Sequence, residues 1–417
     1  MTRMFIERSA RRIRFARVVF VLVGVIPCLA LVAWAMHQRS ESHRERLRLE
    51  WQRGIGIPLA VEAVRHPRPG VVRAVGCRLT APDGGVVTLP DIEIETTAAE
   101  VRLRLGRFVC DPPAARLLGG LLREWLDRDA LYPRDCVVEV ADFAWATRPT
   151  TSAAGLRLEC VSRAGDRAVR AVRQGGPEGP RGEVRGVRTA VAREPAERIE
   201  VDGDWTEPVP LAIVAAVLGV DASIVGDATV SGAVHAVREG GRWSGDATGR
   251  IEKLPLERCT ERLQARATGE ATAVVRRLAW AGGRIRDAEI ECAVGRGRVE
   301  QRLLDGLVST VGCRPGAAHR TLSGATERSF DAAGCVLRLD TRGVELVSGA
   351  SLGGALVVAE GLSIVEPPVG VLPAERLAWL LAPPGAVFVP SAGPGAWLLD
   401  IMPRTEQAAR PGRGGGF

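Results

Sequence analysis

The sequence predicts a mainly β protein with a few short helices, held behind an N-terminal transmembrane helix. Three observations carry that prediction. A charge-free apolar stretch lies close to the N-terminus, period-two alternation runs through most of the chain beyond it, and glycine-rich turn signals recur at hairpin spacing.

The first element is basic. Residues 1–17 include Arg3, Arg8, Arg11, Arg12, Arg14 and Arg17, and read as a cytoplasmic segment. Residues 18–36 (VVFVLVGVIPCLALVAWAM) then pass without a charge. At ~1.5 Å per residue this stretch covers roughly 28 Å, near the ~30 Å thickness of a bilayer core. Gly24 and Pro27 inside it are tolerated by a membrane helix, and Trp34 and His37 fall at the expected interface. The upstream arginines place the N-terminus in the cytoplasm and the body outside, although Arg39, Arg44, Arg46, Arg48 and Arg53 follow on the other side. A cleaved signal peptide is the rival reading, because Ala33-Trp34-Ala35 fits an A-x-A site. The apolar run exceeds the usual ~7–15 residues of a signal sequence, which favours a retained anchor.

Residues 39–53 read as a charged juxtamembrane helix, broken by Gly54 and Gly56. Residues 54–175 form an N-terminal β-rich part. Three short strands come first, split by Pro-Gly and Asp-Gly-Gly turns, and Ile92 and Ile94 alternate with Asp91, Glu93 and Glu95. A helix is predicted near 112–127, with Pro112 and Pro113 in its first turn and Leu117, Leu118, Leu121, Leu122 and Trp125 on one face. Strands are expected at 136–146, 155–161 and 167–173. The Gly/Pro-rich segment 174–186 is the candidate seam within the body.

Residues 183–403 form a second β-rich part. It opens with strands and a short helix at 209–218. Gly226-Asp227-Ala228-Thr229 then recurs as Gly245-Asp246-Ala247-Thr248, and nearly again as Gly269-Glu270-Ala271-Thr272. The copies suit a stacked hairpin repeat with turns at Gly240-Gly241 and Gly282-Gly283; chance recurrence in a Gly/Ala-rich chain is the alternative. A helix is expected at 297–311, strands at 329–340, 344–347 and 352–362, and a short helix at 373–381. Residues 404–417 read as a disordered tail.

Composition narrows the chemistry. The net charge of +7 lies largely in the first 17 residues, so it reads as topogenic and no nucleic-acid partner is expected. Tyr132 is the only tyrosine, which leaves little for base-stacking platforms. Cys28 falls in the anchor. The other eight cysteines could form a disulfide set outside the cytoplasm, yet Cys160, Cys292 and Cys335 share parity with leucines, isoleucine and valine and equally read as small buried hydrophobes. The five histidines are scattered as His37, His43, His66, His235 and His319, with no H-E-x-x-H, no C-x-x-C and no P-loop before Lys253. Asp91, Glu93 and Glu95 read as a solvated strand face. No catalytic, metal or cofactor residue is singled out, and the chain reads as a non-enzyme.

The strand phrases Gly56 to Leu79 and Gly85 to Ile94 behind an anchor, then Gly226 to Gly232, Trp243-Ser244-Gly245 and Ala279 to Arg284, resemble the AsmA-like group of bacterial envelope proteins, relatives of TamB. The resemblance covers about two thirds of the chain. It implies an elongated, curled antiparallel sheet forming a groove that is apolar inside. It also implies anchorage in the inner membrane and a periplasmic body, with membrane lipids and other envelope proteins as partners. Phospholipid handling or outer-envelope assembly is the function implied; a scaffold with a filled core is the alternative.

Overall fold

The computed structural model describes residues 10–55, 58–80, 85–97, 99–127, 135–146, 154–163, 166–174, 180–189, 198–261, 266–319, 326–380 and 394–403. The expectations for residues 1–9, for 175–179 and for the tail 404–417 lie outside the described residues, as does Tyr132. The protein is mainly β, with one N-terminal apolar helix and a large antiparallel sheet. It divides into two compact units, Met1–Gly106 and Arg107–Phe417.

In the first unit α1 (Ala10–Phe20), a π turn (Val21–Val25) and α2 (Ile26–Arg39) succeed one another without a break. Within them Arg17–Arg39 is long and apolar enough to cross a membrane, and none of its apolar stretch is buried. The π turn has a cause. Pro27 has no N–H for the carbonyl of Val23 and its ring crowds that oxygen, so the ladder widens just upstream. Ser40 separates α2 from α3 (Glu41–Ile55) and caps the latter, its Oγ accepting from the His43 N–H at 3.3 Å. Arg44 and Arg48 then donate to the Glu62 and Leu59 carbonyls at 3.0 and 3.2 Å, fastening α3 to the strands next in the chain.

Where alternation predicts three strands, six form among the described residues. They are β1 (Leu59–Ala60), β2 (Ala63–Arg68), β3 (Val71–Val75), β4 (Cys77–Thr80), β5 (Val86–Leu89) and β6 (Ile92–Thr96). Gly76, at φ +66°, cuts one run into β3 and β4, and the two pieces join different sheets. β1, β4 and β5 make a small sheet, while β2, β3, β6 and the first half of β7 (Glu100–Cys110) pair in that order. On β6, Glu93 faces Arg73 and Arg104 in register; Asp91, just before the strand, and Glu95 on it pair with Arg73 and Arg104 at 3.0 and 3.3 Å. That is a face of cross-strand ion pairs in water.

The second unit begins with α4 (Pro112–Asp127), capped by the Asp111 carboxylate, which accepts from the Ala114 N–H at 2.8 Å. Five long strands come next: β8 (Asp135–Trp145), β9 (Ala154–Arg163), β10 (Asp166–Gln174), β11 (Pro180–Thr189) and β12 (Arg198–Pro210). Then come α5 (Leu211–Val217), the hairpin β13 (Thr229–Glu239) and β14 (Arg242–Pro255), α6 (Leu256–Thr260), and β15 (Ala267–Thr268). A second hairpin, β16 (Glu270–Ala281) and β17 (Arg284–Val294), leads to β18 (Gly297–Glu300) and α7 (Gln301–Gly306). The chain ends with β19 (Arg314–Pro315), β20 (Glu327–Phe330), β21 (Ala332–Asp340), β22 (Gly343–Ser348), β23 (Val357–Ala359), β24 (Leu362–Glu366), α8 (Glu375–Leu380) and α9 (Pro394–Ile401).

Register runs through β8-β9-β10-β11-β12-β13-β14-β16-β17-β21-β22, every step antiparallel. Among the described residues no pairing returns from the last of these strands to the first, so the sheet is open. Both hairpins turn on two glycines with positive φ, Gly240 and Gly241 (+54° and +76°) and Gly282 and Gly283 (+60° and +78°), which matches the twist of the strands they join. The hairpins do recur, but the Gly-Asp-Ala-Thr words do not mark equivalent positions. The first word leads into β13, the second lies inside β14 and the third at the start of β16.

Several boundaries move for physical reasons. The body does not part at 174–186, because β10 and β11 pair across that segment from Arg167 opposite Arg188 to Gln174 opposite Pro180. The helix expected from Val209 starts at Leu211, since Val209 and Pro210 still pair with Val230 and Thr229. Gly297–Glu300, expected as the first turn of a helix, is β18, gripped between β15 and β20. The strand expected at 329–340 breaks at Asp331, where the chain passes from the β15-β18-β20 sheet to the large one. Residues 352–362 are turn and then β23, not one strand, because Gly353 and Gly354 sit at positive φ.

Candidate functional site

Residues opposed in an antiparallel register share a face, so one row can be traced across the whole sheet. Val138, Leu158, Ala171, Val184, Gly203, Val234, Ala247, Leu278, Ala288, Leu339 and Val344 form such a row, and every member is apolar. The opposite face is charged. There Arg170, Arg185, Asp202, His235 and Asp246 stand side by side on β10 to β14.

The apolar face is covered at both ends. Over β8 to β10, α4 brings Leu122, Trp125 and Leu126 against Cys160, Val169, Cys136 and Leu158. The C-terminus of α4 lands on a row of three arginines. Arg167 donates to the Trp125 carbonyl at 2.5 Å, Arg188 to those of Leu126 and Asp127 at 3.1 and 3.3 Å, and Arg238 to the Asp127 carboxylate at 2.7 Å. These cations meet the helix's unsatisfied carbonyls at its negative end. Over β17 to β24, a larger cluster built on Leu304, Val311, Val344, Ile364 and Val365 closes the other end. Between them, on β11 to β14, Val184 (39% exposed), Val234 (38%) and Trp243 (38%) remain open. Gly203 lies between the two valines. A Cβ there would stand 3.1 Å from Val234 and 3.7 Å from Val184, which places all three in one apolar lane.

On the polar face the same strands line a hollow of about 620 Å³. Glu183, Arg185, Asp202, Asp204, His235, Asp246 and Thr248 form its walls. Charged side chains thus stand around this hollow, but Gly203, Ala233 and Val234 line it too, so its surface is of mixed polarity. His235 Nδ1 and the Asp202 carboxylate share a hydrogen bond at 2.6 Å. That bond, and then the charges of Asp202, Glu200 and Asp246, raise the His235 pKa above the ordinary histidine value. Glu200, Asp202 and His235 each offer a ligand atom, all within 4.8 Å of one another, so they are the residues whose geometry could hold a cation. By spacing alone His235 reads as a surface or satisfied histidine. The signal that could have found it is the alternation Glu200, Asp202, Asp204, which puts three carboxylates on one strand face.

The remaining histidines are less scattered than their spacing implies. In the first unit, His43 and His66 bring their Nε2 atoms to 3.3 Å and the His37 ring lies 5.4 Å from that of His43. Burial, and then His43, lower the His66 pKa. His319 is mostly buried beside Asp305, at 3.5 Å. A G-x-S-x-G spacing lies at Gly349 to Gly353, but it comes after β22 in a tight turn that leads to β23. A nucleophile elbow needs a strand, a sharp turn and a helix, so exposed Ser351 lacks that setting. All nine cysteines are thiols; burial pushes those of Cys110 and Cys160 up to about 12 and those of Cys77 and Cys313 up to about 11.

Compared with family models, with curated proteins and with solved structures, the chain matches none.

Proposed function

We propose that this is a single-pass, non-enzymatic envelope protein of the AsmA-like kind, whose β body receives phospholipid acyl chains on its apolar face. In this reading the N-terminus is cytoplasmic, Arg17–Arg39 lies in the inner membrane, the body is periplasmic, and the sheet curls into an elongated groove. The observation that carries the reading is the uncovered lane of Val184, Gly203 and Val234 between two covered ends. Burying a methylene against such a surface stabilises by ~0.8 kcal/mol, and an acyl chain supplies many.

The test uses the full chain extracted in mild detergent. Native mass spectrometry is expected to show co-purifying phospholipid, and Val234→Asp, which sets a carboxylate in the lane, is expected to reduce it at least ~10-fold. A wild-type protein that carries no lipid would sink the reading. A second reading, a scaffold that docks other envelope proteins, is favoured by the filled clusters at both ends and by the charged hollow around His235. A stable protein partner whose capture needs Asp202 and Asp246, together with a lipid-free body, would select it.

A further inference from the structure

On the apolar face, register places cysteine opposite cysteine twice. Cys136 of β8 lies across from Cys160 of β9, and Cys292 of β17 lies across from Cys335 of β21. Directly opposed residues in an antiparallel pair have Cα atoms about 4.5 or 5.5 Å apart, and both separations fall inside the ~4.4–6.8 Å window of a disulfide. Opposed side chains also leave the sheet on the same side, so neither pair needs the backbone to move before its sulfurs can meet. The contacts agree. Cys292 and Cys335 are direct side-chain neighbours, and Cys136 packs against buried Cys160 beneath α4.

We propose that these are two cross-strand dithiols which close to disulfides by exchange with a disulfide oxidant, clamping the sheet at its two covered ends. In each closure one protein thiolate attacks a sulfur of the oxidant R–S–S–R and expels RS⁻. The second protein thiol loses its proton and attacks the mixed disulfide, expelling the other RS⁻. Two protein S–H bonds and one oxidant S–S bond become one protein S–S bond and two R–SH. The two protein sulfurs give up two electrons, the oxidant takes them, and the two thiol protons finish on the released thiolates.

Which sulfur attacks first depends on its surroundings. The neighbouring Cys335 thiol lowers the Cys292 pKa, and Cys292 is only partly buried. Cys335 is partly buried as well, so either sulfur of this pair can open the attack and the other resolves it. In the other pair Cys160 is buried, with its pKa pushed up to about 12, so attack begins at the more accessible Cys136. Closure of Cys292–Cys335 would enclose β18, α7, β19 and β20, a long loop whose ends are then tied in the unfolded chain as well. The lane on β11 to β14 lies between the clamps and is tied by neither. The inference stands apart from lipid binding, because thiol state is read without any lipid.

The experiment takes the full chain in detergent, fully reduced, and equilibrates it with oxidised glutathione before alkylation and non-reducing peptide mapping. Two linkages are expected, Cys136–Cys160 and Cys292–Cys335, each with a mass loss of about 2 Da. Cys313 also lies near Cys335, so a Cys313–Cys335 linkage would overturn the assignment of the second pair. Full alkylation of all four thiols after equilibration would overturn both. Cys292→Ser is expected to remove the second linkage and leave the first intact. As a measure of clamping, proteolysis between β17 and β21 is expected to slow on the order of tenfold on oxidation in the wild type. In Cys292→Ala/Cys335→Ala, which cannot form that linkage, oxidation is expected to leave the rate unchanged; equal rates in oxidised and reduced wild type would refute the clamp.

Discussion

The two ends of the large sheet present the same apolar face and cover it by different means. At the β8–β10 end, one helix lies over a small cluster, and Arg167, Arg188 and Arg238 hold the helix by its last carbonyls and by Asp127. Arg167 also stacks on the Trp125 ring at 5.3 Å. At the β17–β24 end, α7, α8 and α9 close over a cluster of fully buried aliphatic side chains. The first cover depends on direction, since a guanidinium bonds a carbonyl only where the helix ends. The second depends on volume. A strand face of one polarity thus has two independent ways of losing water, and between them Val184, Val234 and Trp243 stay exposed.

The comparison breaks most severely at the volume-dependent end. Leu304 is fully buried, so Leu304→Ala is expected to destabilise the second unit by ~3 kcal/mol, within the usual 2–5 kcal/mol for a core leucine. A denaturant midpoint that does not move would show that this cluster is not a close-packed core. Next in size is Arg167→Met, which keeps much of the apolar stem but leaves the Trp125 carbonyl without its donor. A loss of ~1–2 kcal/mol is expected, with faster amide exchange confined to the last turn of α4. Equal acceleration in α7 and α8 would mean the two ends are not independent.

The smallest effect belongs to the opposite face. The folded pKa of His235 is raised by Asp202, so its contribution to stability is present below the unfolded value near 6.5 and fades as pH rises through the folded value. Because both side chains are about half exposed, solvent screens the pair and the change in stability is expected to be slight. An NMR titration should place His235 above the ordinary value and Asp202→Asn should bring it down. A wild-type value at or below that of a free histidine would rule out the pairing.

Much of the fold is legible in residue order. The apolar run from Val18, the helix at 112–127 with its prolines in the first turn, and the two glycine-glycine hairpins stand close to where pattern places them, because each is decided by residues a few positions apart. The errors share a cause as well. Gly297–Glu300 looks helical beside Leu303 and Leu304, yet pairing with β15 and β20 makes it a strand, and those partners lie about 30 residues away on either side. His235 looks isolated for the same reason, since Asp202 is a neighbour only across β12 and β13.

Local spacing alone determined that this chain has one charge-free helix near its N-terminus and a body of strands with one oily and one charged parity. That much comes from side-chain alternation and from what glycine and proline permit. Only the tertiary structure decided which strands adjoin, and therefore which cysteines face each other, where three arginines meet one helix end, and which stretch of the oily face stays uncovered. Register joins residues far apart in sequence, and a one-residue slip would have exchanged the two faces.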